Sequence, residues 1–159
     1  MTRVVLVPGA LALLPEYAGL DDPVRQLRAA CLDAVSWLGR DVEVLADPQG
    51  ARVGAHLLDA TTRSVDEASY LVVANGSARR TEKAPGHLDE RSFAFDDALR
   101  SWLSGQGPAP DQALGEELLA SMTGFELMAE RVAPWGRPVV DFDDDPYGVQ
   151  YWVMRWEVP

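Results

Sequence analysis

Three features of the sequence predict an α/β fold. Two short β-branched apolar runs, Arg3 to Val7 (RVVLV) and Ser69 to Ala74 (SYLVVA), carry almost no polar residues, as strands buried on both faces require. Stretches with apolar residues at helical spacing alternate with the strand-like runs through the first half. The chain has 159 residues, 47% of them hydrophobic and 25% charged, the size and balance of one globular domain. The expectation is a single domain over 1–159: a three-layer α/β/α arrangement, a mainly parallel sheet with right-handed crossovers, and a C-terminal antiparallel hairpin at one edge.

In chain order, residues 3–7 are the first strand and 8–20 a loop. Arg3 followed by the apolar stretch Val4 to Leu14 superficially resembles a secretion signal, but Pro8-Gly9 breaks it and no small-x-small site follows. Asp21-Asp22-Pro23 supplies acidic capping residues and a proline at a helix start. Val24, Leu27, Cys31, Ala34, Val35 and Leu38 then form one apolar stripe, and Gly39 closes that helix. Asp41 to Ala46 (DVEVLA) alternates as a half-buried strand, and 47–50 reads as a turn. A second helix runs from Val53 to Arg63 with Leu57 and Leu58 inward, followed by the strand at 69–74 and a polar loop over 75–88. Helices follow at 89–104, 111–122 and 124–132, the first carrying Phe93, Leu99, Trp102 and Leu103. The linker-like Gly105 to Pro110 is too short to separate two domains. Arg137 to Phe142 and Val149 to Trp156 close the chain as strands around a turn at 143–148, with Trp152 and Trp156 on one side.

Charge and cysteine content narrow the function classes. The 25 acidic and 14 basic residues give a net charge of −11, which repels phosphate backbones and argues against nucleic-acid binding. Cys31 is the sole cysteine, so no internal disulfide or Cys-based zinc framework can form; this points to a cytoplasmic protein, with Cys31 as a small buried hydrophobe. No apolar run reaches the roughly 18 residues of a membrane span.

In parallel sheets ligands collect beyond the carboxyl ends of the strands, which favours the loops after Val7, Ala46 and Ala74. The last of these, Asn75 to Asp89 (NGSARRTEKAPGHLD), holds Arg79, Arg80 and the chain's only lysine, Lys83, in a strongly acidic protein. Asn75 and Gly76 tolerate positive φ, so their N–H groups could turn inward with Ser77. Guanidinium forks take carboxylate or phosphate bidentately, and His87 could titrate or donate. The expected site is therefore an anion-binding loop of Asn75, Gly76, Ser77, Arg79, Arg80, Lys83 and His87. The competing reading pairs these arginines internally with Asp143, Asp144 and Asp145.

Weaker signals lead nowhere specific. Asn75-Gly76-Ser77 matches a glycosylation sequon by chance, and Ser77 lacks the GxSxG elbow of a hydrolase nucleophile. The loop has no P-loop pattern. His56 and Asp59 sit three apart on a helix, where a packed histidine is the plainer reading. Asp141 and Asp143 to Asp145 fit a calcium loop only in part, since counting from Asp143 the fifth and twelfth positions are Tyr147 and Met154.

The string GSARRTEKAPGHLDERSFAFD resembles a segment of actinobacterial proteins of the class III extradiol dioxygenase B-subunit-like family. VVLVPGALALLPEYAG, VGAHLLDA and DDDPYGVQYWVMRW are similar to the same group, so the resemblance covers most of the chain. It implies the dioxygenase-like α/β fold. In the ring-cleaving members, iron(II) is held by two histidines and a glutamate, and a further histidine serves as acid/base. Here the loop Pro8 to Gly19 has no histidine, and Gly76-Ser77-Ala78-Arg79-Arg80 carries arginine where the acid/base histidine is expected. Glu126 is a loose match for the glutamate, and the chain looks shortened between Gly50 and Val53. These departures imply a member without ring cleavage, metal or cofactor, binding a small acidic ligand or a protein partner. Two other readings are an oxygenase or lyase using Glu126, His56 or His87 with a divalent metal, and an oligomer subunit joined through its late aromatic strand.

Overall fold

The computed structural model describes residues 1–17, 22 and 24–159. Its elements are β1 (Thr2–Val7), α1 (Arg25–Trp37), β2 (Val42–Leu45), α2 (Pro48–Asp59), β3 (Ser69–Val73), α3 (Arg91–Leu103), α4 (Gln112–Glu117), α5 (Thr123–Arg131), β4 (Val139–Asp144) and β5 (Tyr151–Val158). Short 3₁₀ turns at Leu11–Leu13 and Pro15–Tyr17 punctuate the loop after β1.

The five strands form one sheet in the order β2-β3-β1-β5-β4. β1, β2 and β3 are mutually parallel, whereas β5 runs antiparallel to both β1 and β4. The sheet is thus mixed rather than mainly parallel. The expected C-terminal antiparallel pair does lie at one end of the sheet, with β5 beside β1 and β4 at the edge.

Successive side chains of a strand point to opposite faces. Val5, Val7, Leu71 and Val73 pack against Leu27, Cys31 and Val35 of α1 and Val53 and Leu57 of α2. Val4, Leu6 and Val72 join Phe95 and Leu99 of α3, Phe125 and Met128 of α5, and Trp152 and Trp156 of β5 on the other face. Trp152 and Trp156 share a face, as their spacing predicts. The connections from β1 past β3 to β2 and back from β2 to β3 cross the sheet in opposite directions, yet both helices lie on one face. They therefore have opposite hands, and the expected right-handed rule is met by only one of them.

Local chemistry explains where the elements begin and end. α2 starts at Pro48, five residues before the sequence pattern suggests, because Asp47 acts as N-cap: its Oδ1 accepts the Gly50 N–H at 2.7 Å, and proline occupies the first turn. The residues read as a turn are therefore the first turn of the helix. α2 ends at Asp59, where the Thr61 hydroxyl donates to the Leu57 carbonyl at 2.9 Å. At the start of α1, Asp21 and Pro23 lie outside the described residues. Asp22 accepts from the Val24 N–H at 3.2 Å and pairs with Arg28 at 2.8 Å. The predicted stripe of α1, from Val24 to Leu38, is buried throughout. Gly39 lies beyond the helix in contact with the 65–69 segment. A Cβ there would collide with the Glu67 carbonyl, so close backbone approach, rather than a left-handed cap, demands glycine.

On α3 the inward aromatic is Phe95, 5% exposed, while Phe93 is 41% exposed. The 3.6-residue period turns position 93 to the outer side, where it covers Arg80 instead. β4 continues through Asp144, into the span expected to turn. Asp143 pairs with Trp152 and Asp144 with Tyr151, and a bulge lies between Val140 and Phe142.

Candidate functional site

The segment after β3 passes Ala74 and reaches Asn75, which is buried. The Asn75 Oδ1 accepts the Gly9 N–H at 3.3 Å, tying this strand end to the loop after β1. The Asn75 carbonyl accepts the Ser121 N–H at 3.1 Å, and the Ser121 hydroxyl donates to Asp47 at 3.2 Å. The loops that follow β1, β2 and β3 are thus joined at one end of the sheet.

The next backbone groups are consumed by tertiary partners. The Gly76 N–H donates to the Gln150 carbonyl and the Gln150 N–H to the Ser77 carbonyl, each at 2.9 Å. The Ala78 N–H donates to Leu118 at 2.9 Å and the Arg80 N–H to Gly148 at 3.1 Å. Neither Asn75 nor Gly76 has positive φ; among the described non-glycine residues that conformation occurs at His87 and Leu119, each with φ of 58°. The expected inward-turned backbone donors at Gly76 therefore do not form, because strand-like pairing with residues 148–150 takes them. Glycine is needed at 76 for another reason. A Cβ would lie 2.6 Å from the Asp96 Oδ1 and 2.9 Å from the Gln150 Cβ.

A buried carboxylate organises the site. Asp96 of α3 has no exposed surface. It accepts from the Ser77 N–H at 2.9 Å, the Ser77 hydroxyl at 2.6 Å and the Arg80 Nη1 at 3.0 Å. Burial pushes its carboxyl above the ordinary range, against the opposing pull of the Ser77 and Arg80 bonds. Arg80 also donates its Nε–H to Asp145 at 2.7 Å and stacks over the Phe93 ring, 4.7 Å from its centroid. Both edges of this guanidinium are occupied by the protein's own acids.

The other expected residues lie apart from that network. Arg79 donates one Nη1–H to the Glu117 carbonyl at 3.1 Å, and its buried Nε–H has no acceptor. Lys83 is exposed and makes no ion pair among the described residues. His87 is exposed, with Nδ1 3.2 Å from the Glu82 carbonyl. Of the three aspartates expected as arginine partners, Asp145 alone meets the loop. Asp143 holds Arg100 through contacts at 2.8 and 3.0 Å and accepts from Gln150, while Asp144 accepts the Asp145 N–H at 2.8 Å. Asp96 and Gln150 are the members that sequence reasoning missed. The available signal was an acid within the buried stripe of α3, beside Phe95 and Leu99, since an ionisable group in a core stripe demands partners.

The residues present do not fit the iron site that the resemblance implies. His56 lies on α2, Glu126 is exposed on α5 across the sheet, and His87 is on an outer loop. Among the described residues no group of three His, Cys, Asp or Glu is arranged to hold a metal ion. Among the described residues no helix is long and apolar enough to cross a membrane. β5, the late aromatic strand, lies between β1 and β4, and its Trp152 and Trp156 are 0% and 2% exposed, so these two rings face the core. No family model, curated protein or solved structure matches the chain.

Proposed function

We propose that this protein is a binding module of the cytoplasm with a three-layer α/β/α frame like that of class III extradiol dioxygenase B subunits. It does not cleave rings, and it takes a carboxylate- or phosphate-bearing ligand, free or on a partner protein, at the outer face of the 75–89 loop. The observation that carries the reading is that the loop holds two cations with no carboxylate at ion-pair distance among the described residues: Arg79, whose Nη1 donates to a main-chain carbonyl, and the exposed Lys83. A guanidinium with spare donors favours an oxyanion. The backbone bonds of Ala78 and Arg80 hold the loop in place before any ligand arrives, which lowers the ordering cost of binding.

Arg80 has a different part in this proposal. Its contacts with Asp96 and Asp145 make it the anchor that fixes the loop, and Arg79, Lys83 and His87 are the groups that meet the ligand. Calorimetric titration with di- and tricarboxylates, inorganic phosphate and an acidic peptide tests this. Binding that weakens at least tenfold in Arg79→Ala and in Lys83→Ala supports the reading; tenfold corresponds to about 1.4 kcal/mol. Flat titrations of the wild type with every probe would sink it. Response to the peptide alone assigns the anion to a partner protein. Oxygen uptake on catechols by iron(II)-supplemented protein is expected at background, and uptake above background would refute the loss of ring cleavage.

A further inference from the structure

We infer that the sheet continues across a two-fold axis, with β4 of one copy pairing antiparallel to β4 of a second copy around Val139 and Val140. The inference is independent of the ligand reading, because it rests on the exposed edge at Val139 and Val140 and not on Arg79, Lys83 or His87.

β4 is an edge strand, and its outer side is unpaired in the sheet. Such an edge presents main-chain donors and acceptors as a template for another strand. At this edge Val139 is 54% and Val140 49% exposed, one on each face of the sheet. Val140 stands opposite Met154 and Val139 opposite Arg155. Two adjacent exposed valines on an open edge favour strand pairing, since β-branched side chains pack best against cross-strand neighbours. The other edge differs: on β2, Val42 and Val44 are partly buried against the core, and Glu43 is tied to Arg131 at 2.6 Å.

Charge selects a second copy as the occupant. A chain of net charge −11 repels itself over most of its surface. Along β4 that acidity is locally cancelled. Asp141 is held by Arg155 at 2.7 and 3.1 Å, and Asp143 by Arg100 at 2.8 and 3.0 Å. Arg137, just before the strand, is exposed and has no hydrogen bond or ion pair among the described residues. In a two-fold antiparallel pairing, Val139 against the second copy's Val139 sets Arg137 against the second copy's Asp141. Val140 against the second copy's Val140 sets Arg137 against the second copy's Asp143. Each register gives the spare guanidinium a carboxylate twice over, as a self-complementary interface requires.

The strand also limits the contact. Pro138 has no N–H to donate, and the bulge after Val140 bends the ladder. The paired run is short, so the dimer is weak and forms with rising concentration.

Sedimentation equilibrium or light scattering over a concentration series tests the inference. The weight-average mass is expected to rise from 17.4 kDa toward twice that value. The Val139→Lys/Val140→Lys variant should stay at the monomer mass. A second readout uses single cysteines, since Cys31 is buried and the chain has no other. Under mild oxidation Val139→Cys or Val140→Cys should form a disulfide dimer faster than Val65→Cys, an exposed control beside β2 at the other edge of the sheet. Constant monomer mass at the highest concentration, an unchanged dimer in the double-lysine variant, or equal cross-linking at all three positions would overturn it.

Discussion

Replacing Asp96 by alanine removes one carboxylate and strands three donors at once: the Ser77 N–H, the Ser77 hydroxyl and the Arg80 Nη1–H. Ser77 has no exposed surface, so its two donors find no water in exchange. The Arg80 side chain retains 16% exposure and keeps Asp145, which softens its loss. Removing one partner of a buried ion pair costs about 3–5 kcal/mol, and the retained Asp145 places Asp96→Ala near the lower end, at about 3 kcal/mol. For a domain of this size that lowers Tm by about 6–12 °C. Asp96→Asn keeps the shape and one acceptor, so about half that loss is expected. Urea unfolding followed by tryptophan fluorescence gives the free energies, and a double-mutant cycle with Arg80→Ala gives the coupling. A coupling of about 1 kcal/mol or more is expected for groups in one network. Asp96→Ala within about 0.5 kcal/mol of wild type, or strict additivity with Arg80→Ala, would refute the view that this carboxylate fixes the loop.

Other substitutions probe separate parts of the fold. Asp47→Ala removes the α2 cap and the Ser121 contact, and should cost about 1–2 kcal/mol by chemical denaturation; no change would mean that the cap does not set the start of α2. Gly39→Ala drives a Cβ into the Glu67 carbonyl and should cost more than about 2 kcal/mol, whereas a neutral result would show that the 65–69 segment is free to shift. Asp89 is held at a pKa of about 2, below its ordinary 3.8, chiefly by the Arg91 side-chain bond. Its folded pKa is depressed, so its contribution is present above pH 3.8 and lost as pH falls toward 2. Asp89→Asn should therefore flatten the stability profile across that window, and parallel profiles for the two proteins would contradict the assignment.

The resemblance segment illustrates how far the chain could be read from its letters. The cluster at 75–89 was visible because two arginines and the only lysine stand together in an acidic protein. Its division of labour was not visible. Arg79 and Arg80 are chemically identical neighbours, yet one meets a main-chain carbonyl and the other two carboxylates. The acids that capture Arg80 lie 16 and 65 residues away along the chain, beyond any local spacing rule. Phe93 and Phe95 pose the same problem on α3. Both are aromatic and two positions apart, and only the rotation of the helix against the sheet decides which enters the core.

The sequence by itself determined the apolar strands, the buried stripe of α1, the shared face of Trp152 and Trp156, and the acidic character of the whole. Those properties follow from side-chain period and composition, which act over a few residues. Only the tertiary structure decided that β5 inserts beside β1 and makes the sheet mixed, that α2 begins at Pro48 behind the Asp47 cap, and that Arg80 meets two carboxylates while Arg79 keeps an unpaired donor. Each of these depends on which distant group arrives to satisfy a buried hydrogen bond or charge, and that is settled by packing the two faces of the sheet rather than by neighbours in the chain.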